Sequence, residues 1–507
     1  MLSKVFSSAV IGLNSELVEV EADLASGFPY FGIVGLPDTA IQEAKERIRS
    51  AIKNTGIGFP FSKRLIINLA PADIRKEGPA YDLPMAVGII LAQEGFAFDT
   101  ANCLFVGELA LDGRLRHTNG ILPIAIFARE RGIKTLFLPA INAREASLID
   151  GLEIIPVDSL TSLLGHLSGE ALITPYQSAG LPEFQSEISY EFDMAFIKGQ
   201  EHVKRAMEIA AAGAHNLLMS GPPGSGKTLI ARTLPSILPS MTEDEILETT
   251  KIYSIAGLLP HNEPLVSRRP FRSPHHSASG VALVGGGKFP KPGEISLAHR
   301  GVLFLDEFSE FPRQVLENLR QPLEDGVVTI SRAQGTLSFP ARFTLIASQN
   351  PCPCGYYGDL ERPCTCAPGQ ISNYQKKVSG PIIDRIDLHV EVPRIKFDKM
   401  SSETLAESSA KIRERVEAAR QIQSQRFKYS KLSSNSEMRP QEIKEFCRID
   451  EPTTGLLRNA VTQLHLSARA YHRILKLART IADLANSEHI QMAHVAEALQ
   501  YRPKSTE

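Results

Sequence analysis

Gly221-Pro222-Pro223-Gly224-Ser225-Gly226-Lys227-Thr228 fits the pattern G-x-x-x-x-G-K-[ST]. Glycines at these positions let the backbone curl so that its N–H groups face the phosphates of a nucleotide. Lys227 is then spaced to reach the terminal phosphates, and Thr228 to offer a hydroxyl to Mg²⁺. Further along, the apolar run Gly301-Val302-Leu303-Phe304-Leu305 ends in Asp306-Glu307. Asp306 in that position would help hold the metal, and Glu307 would orient and polarise an attacking water. A third apolar run, Phe343 to Gln349, ends in Asn350. A strand-terminal Asn is ordinarily a turn residue, but here its neutral amide could position the same water. The expected chemistry is hydrolysis of ATP, with Mg²⁺ as the metal.

Those side chains can act together only if a sheet brings them to one edge. His215-Asn216-Leu217-Leu218-Met219-Ser220 reads as a buried strand leading into the phosphate loop. Thr228 to Leu234 reads as the helix behind it, with its N-terminus towards the phosphates. The sequence thus predicts a second α/β region over residues 193–396. Before it, residues 1–167 alternate short strands and helices. Leu17 to Ala22 alternates as a strand, Thr39 to Lys53 is amphipathic at helical spacing, and Arg64 to Leu69 is another strand. Residues 168–192, with Pro175, Pro182 and several Ser and Gly, read as a linker. Residues 397–507 read as helical, with strong helices at Ser401–Phe427 and Ser467–Asn486.

The chain has 507 residues, enough for about three domains. Its formal net charge is −2, from 55 basic and 57 acidic side chains, so any nucleic-acid surface must be local. No run of about 18 apolar residues occurs and the N-terminus lacks a secretory pattern. A soluble, cytoplasmic protein with no membrane partner is expected.

Four of the six cysteines cluster as Cys352, Cys354, Cys364 and Cys366, a C-x-C, nine residues, C-x-C pattern. Four thiolates in tetrahedral geometry suit a structural Zn²⁺. Unligated or redox-active thiols are the alternative. Cys103 and Cys447 stand alone and read as buried thiols.

Pro381-Ile382-Ile383-Asp384-Arg385-Ile386-Asp387 sets an Arg between carboxylates. It reads either as a surface ion pair or as an arginine finger acting on a neighbour's nucleotide. Arg469 falls in the first turn of a helix opening at Ser467, where the dipole disfavours a cation. Such a local conflict points to a task.

Together these motifs resemble the AAA+ ATPases. The closest resemblance is to the magnesium-chelatase-like group that includes ComM and YifB. Arg269-Pro270-Phe271-Arg272-Ser273-Pro274-His275-His276, Ala282 to Gly287 and Pro292 to His299 fit that group as well. The resemblance spans essentially the whole chain. It implies an α/β AAA+ P-loop core with a C-terminal helical lid, assembled as a homo-hexameric ring with nucleotide at subunit interfaces. Arg385 would be the finger acting in trans and Arg469 the sensor-2 arginine. The implied activity is a DNA motor, a helicase that promotes branch migration as incoming DNA is integrated in natural transformation. A remodelling ATPase acting on a protein, as in magnesium chelatase, is the alternative.

DNA, single-stranded or branched, would need basic contacts in the pore. Val327 to Phe339 reads as a hairpin with Arg332 near its tip, a phosphate contact or an ordinary solvated Arg. Gly285-Gly286-Gly287-Lys288-Phe289-Pro290-Lys291 reads as a loop offering Lys288 and Lys291 to phosphates, or as plain flexible surface. His275 and His276, adjacent and so pointing in different directions on most backbones, do not suit a metal pair and read as contacts to nucleotide or to a neighbouring subunit. The first domain resembles the Lon-protease domain, of ribosomal-S5-like fold, through Glu77 to Asp82, Gly107 to Arg116, Asn119 to Pro123 and Gly132 to Pro139. Where that family places its Ser–Lys dyad this chain has Ala80 and Leu122, so proteolysis by that dyad is excluded. A scaffold for ring assembly or DNA contact remains, with Lys63, Arg64, Arg75 and Lys76 available for a basic face or simply solvated, the default for such charges.

Overall fold

The computed structural model describes all residues except 96–97, 178–189, 261–262, 288–289, 333–334, 360, 395–405, 431 and 504–507. The chain forms two compact units. One comprises Met1–Ser186 together with Glu243–Ser267, the other Glu187–Thr242 together with Arg268–Glu507.

In the first unit, strand Asn14–Ala25 turns Val18, Val20, Ala22 and Leu24 inward at period two, with Glu19 and Glu21 on the other face. It pairs antiparallel with both Leu2–Ile11 and Arg64–Ala70, and Tyr30–Val34 adds in parallel at the far edge. A second, parallel sheet joins Cys103–Phe105, Thr135–Pro139 and Glu153–Val157. Helix Thr39–Asn54 starts where the Asp38 carboxylate accepts from the N–H of Ile41 at 2.8 Å, and it buries Ile41, Ala44, Ile48 and Ile52 along one stripe. Helix Asp82–Glu94 is apolar almost all round and is buried on nearly every face.

Two features of this unit depart from the sequence expectation. Lys76 does not belong to a basic face. It is fully buried, its Nζ donates to the Pro71 carbonyl, and burial lowers its pKa. Lys63 and Arg64 are exposed. The stretch expected as a linker is docked as far as Tyr176, with Ile173 N donating to His166 Nδ1 at 3.0 Å and Tyr176 N to the Ile154 carbonyl at 2.8 Å.

The segment Glu243–Ser267 lies, in sequence, between parts of the second unit, yet it packs in the first. Helix Glu243–Ala256 is held there by a buried carboxylate. Glu145 Oε1 accepts from Ser254 Oγ at 2.6 Å and from Leu122 N at 2.9 Å, and its other oxygen accepts from Asn142 Nδ2 at 3.3 Å. Burial pushes this carboxyl pKa up, opposed by those donors.

The second unit is built on a five-stranded sheet ordered Phe271–Arg272, Val302–Leu305, Thr344–Gln349, Leu217–Ser220, Leu388–Glu391. Every pairing in it is parallel. Such strands are covered on both faces and read as unbroken apolar runs, as Val302 to Leu305 does here. Helices Glu201–Gly213, Ser409–Arg426 and Ala468–Leu484 share one core with the sheet, through Met207, Val416, Ile474 and Ile481 against Leu217, Phe304 and Leu388. The C-terminal helices therefore continue the core of the α/β region instead of closing a separate one.

A buried ionic cluster fixes these helices. Asp483 is fully buried, accepting from Arg426 at 2.6 and 2.8 Å, from Arg479 Nε at 3.0 Å and from Asn435 Nδ2 at 2.8 Å. Asp483→Ala would strand two guanidinium groups in the interior. The expected loss is about 3–5 kcal/mol, read as a lowered urea midpoint. An unchanged midpoint would contradict this account of the cluster.

Candidate functional site

The strand Leu217–Ser220 delivers the chain to Gly221, where a side chain is sterically barred. A Cβ there would stand 2.2 Å from the Val392 carbonyl oxygen. Gly226, at φ 88°, then caps helix Lys227–Thr233 in the left-handed region. The Lys227 side chain is 9% exposed, and its Nζ donates to the carbonyls of Gly221 (2.8 Å) and Pro222 (2.9 Å) and to Asn350 Oδ1 (3.3 Å). Burial lowers its pKa and Asp306 opposes the shift. Thr228 Oγ1 donates to Asp306 Oδ2 at 2.7 Å.

Asp306 is held from its other side too, by Ser348 Oγ and by the N–H of Glu307 at 3.0 Å. Ser348 is buried on the neighbouring strand Thr344–Gln349. Glu307 has φ 52°, a left-handed conformation uncommon outside glycine. Strain of this kind persists where surrounding structure over-determines it. Its Oε2 lies 3.1 Å from His276 Nδ1.

The structure thus gathers Lys227, Thr228, Asp306, Glu307 and Asn350 at one end of the sheet. Sequence patterns miss Ser348 and the pairing of His276 with Glu307. A serine inside an apolar strand is silent until its neighbour strand is known, whereas the adjacent histidines are visible in the sequence without a partner.

Arg385 and Arg469 meet at Glu324. The Arg385 guanidinium bonds the Glu324 carboxylate and the Pro381 carbonyl. Arg469 Nη2 lies 3.8 Å from the same Glu324 oxygen. Ser467 caps helix Ala468–Leu484 by accepting from Ala470 N at 3.2 Å, so Arg469 does fall in its first turn. From that helix Arg473 donates to the carbonyls of Ile386 (2.7 Å) and Asp384 (3.4 Å), pinning the turn that carries Arg385. Glu324 and Arg473 carry no motif that would have singled them out. If Glu324 orients the two arginines, Glu324→Gln should lower kcat by up to about 10²-fold, as misplaced catalytic groups do. An unchanged kcat would remove Glu324 from the machinery.

The four clustered sulfurs lie within 4.8 Å of one another. Cys352 Sγ is 3.4 Å from Cys354 Sγ and 3.6 Å from Cys364 Sγ, and Cys354 Sγ is 3.5 Å from Cys364 Sγ. A disulfide requires about 2.05 Å. Zinc–sulfur bonds of about 2.3 Å in a tetrahedron put the sulfurs about 3.8 Å apart. Backbone N–H groups point at the sulfurs as well: Tyr357 at Cys352, and Cys354 at Cys366. Cys103 and Cys447 are buried and isolated from this group.

Of the residues expected to meet DNA, Lys291 is exposed on the short strand Lys291–Pro292, paired with Gly285–Gly286. Lys288 lies outside the described residues. Arg332 ends strand Val327–Arg332 of an antiparallel hairpin with Gly335–Pro340, and its side chain is likewise outside the description.

A parallel sheet with a phosphate loop leaving an inner strand, and an acidic strand end alongside it, defines a P-loop α/β nucleotide-binding core of the AAA+ type. Three family models match: magnesium chelatase subunit ChlI over residues 193–400, subunit ChlI of Mg-chelatase over 20–142, and the ChlI C-terminal model over 406–502. The competence protein ComM of Haemophilus influenzae is 44% identical, covering 99% of this chain and 97% of the relative. The uncharacterized protein YifB of Escherichia coli is 42% identical over the same shares. An uncharacterized protein of Mycobacterium bovis is 40% identical over 99% of this chain and 98% of its own. The chain belongs to the ComM/YifB family of magnesium-chelatase-like AAA+ proteins. No helix among the described residues is long and apolar enough to cross a membrane.

Proposed function

We propose that this protein is an ATP-hydrolysing motor that works on DNA as a homo-hexameric ring, a helicase promoting branch migration during integration of incoming DNA. The observation that carries the ATPase part is the convergence of Lys227, Thr228, Asp306, Glu307 and Asn350 at one sheet end. The DNA part is supported by full-length similarity to a protein named for competence.

The residues fit ATP and Mg²⁺. Lys227 already spends its donors on carbonyls of the phosphate loop itself, and those bonds can be exchanged for phosphate oxygens. Thr228 and Asp306 would hold the metal. Bound ATP·Mg²⁺ supplies an electrophilic γ-phosphorus and a cation that neutralises charge. Glu307 takes the proton of the attacking water and Asn350 fixes that water's position. Arg385, presented by the next subunit, balances charge on the transferred group, with Arg469 sensing the nucleotide from the helical region. Lys288, Lys291 and Arg332 are the pore contacts to phosphates. With Ala80 and Leu122 in place of a Ser–Lys dyad, the first unit serves as scaffold.

ATP turnover measured with and without DNA, beside unwinding of forks and of three-way and four-way junctions, tests this reading. Stimulation by DNA and unwinding are expected. Turnover indifferent to DNA, with no unwinding, would give way to a protein-remodelling ATPase like the magnesium-chelatase motor subunit.

A further inference from the structure

The cysteine cluster is built against the phosphate loop. Cys352 is the second residue after Asn350, whose side chain receives Lys227. Gly355, inside the knuckle between the two C-x-C pairs, has φ +85°. A Cβ at Gly355 would come within 2.5 Å of Pro223 Cδ and 2.7 Å of Pro223 Cγ, and within 3.8 Å of Asn350 Cγ. The knuckle therefore lays bare backbone on the phosphate loop and on the residue expected to place the water.

Its far side is anchored too. Gln375 Nε2 donates to the Pro351 carbonyl at 3.3 Å. Arg394, just past strand Leu388–Glu391, lies 3.3 Å from Asp359, and its guanidinium lies over the Tyr356 ring at 5.3 Å. The described residues between Cys352 and Cys366 form no helix or strand, and four thiolates on one metal would hold that turn together.

We propose that Cys352, Cys354, Cys364 and Cys366 bind one Zn²⁺, and that this metal braces the phosphate loop through Gly355 on Pro223 and through the short link from Cys352 to Asn350. Nucleotide affinity then depends on metal occupancy, although the metal touches no nucleotide. Thiolate ligands select Zn²⁺ over Mg²⁺, so the two metals do not exchange sites. The coupling rests on reading Gly221–Thr228 as the nucleotide site.

The test uses the full chain, elemental analysis for zinc, and the Kd of ADP by titration calorimetry. The wild type should carry one zinc per chain and bind ADP. Cys364→Ser with Cys366→Ser should lose the zinc and bind ADP at least about tenfold more weakly. Gly355→Ala keeps every ligand, so it should retain the zinc, yet its methyl pushes on Pro223 and should weaken ADP to a similar degree. Absence of zinc from the wild type overturns the metal site. Zinc loss with unchanged ADP affinity overturns the brace. If the double variant fails to fold, Gly355→Ala decides alone: full zinc with unchanged affinity refutes the coupling. A wild type that binds zinc but no ADP refutes the nucleotide reading itself, an outcome distinct from all the others.

Discussion

Glu307→Gln is expected to lower the kcat of ATP hydrolysis by at least about 10²-fold while nucleotide stays bound. General-base assistance contributes about 10²–10⁴ to a rate, and glutamine keeps the shape of the side chain without its basicity. Binding survives because the phosphate loop, Lys227, Thr228 and Asp306 are untouched, and Asp306 keeps its bonds from Thr228 and Ser348. The contact from His276 also survives in altered form, since an amide can still meet a ring nitrogen. Lys227→Ala should behave differently and lose affinity first. The two are separated by measuring ADP or ATP binding beside turnover. A Glu307→Gln protein that hydrolyses ATP at the wild-type rate would show that the base lies elsewhere.

Arg385→Ala is expected to cost turnover about 10³-fold, the scale of an arginine finger. The decisive experiment mixes two inactive proteins. Lys227→Ala chains lack a working phosphate loop but keep Arg385; Arg385→Ala chains keep the loop but lack the finger. If Arg385 acts across a subunit boundary, a mixture regains turnover wherever an intact Arg385 faces an intact loop. If Arg385 only completes the ion pair with Glu324 inside its own chain, the mixture stays inactive. In the structure Arg385 bonds Glu324 and Pro381 of its own chain, the contacts that the mixing experiment weighs against a role across a subunit boundary.

Much of the site is legible in the sequence because its parts are short and contiguous. Strand, loop and helix from Leu217 to Thr233 follow from an apolar run, glycines that tolerate left-handed angles, and a helix former sequence after them. The acidic strand end at Asp306-Glu307 and the amide at Asn350 are legible for the same reason. Strands Asn14–Ala25 and Arg64–Ala70 and helix Thr39–Asn54 declare themselves by periodicity. Lys76 does not: a lysine beside an arginine reads as surface, and only the packing around the Pro71 carbonyl reveals that it is buried. Helix Glu243–Ala256 is equally deceptive, since its place in the order of the chain says nothing of Glu145, the carboxylate it joins 109 positions away.

By itself, then, the sequence determined the phosphate-loop motif, the clustering of the four cysteines and the α/β character of the core, because each is written in residues that are neighbours along the chain. Only the tertiary structure decided that Ser348 clamps Asp306, that His276 faces Glu307, that Glu324 gathers Arg385 and Arg469, and that Gly355 presses the cysteine knuckle onto Pro223. Those are contacts between segments far apart in the chain, and they are chosen by burial, steric fit and the pairing of buried polar groups, none of which leaves a period or a motif behind.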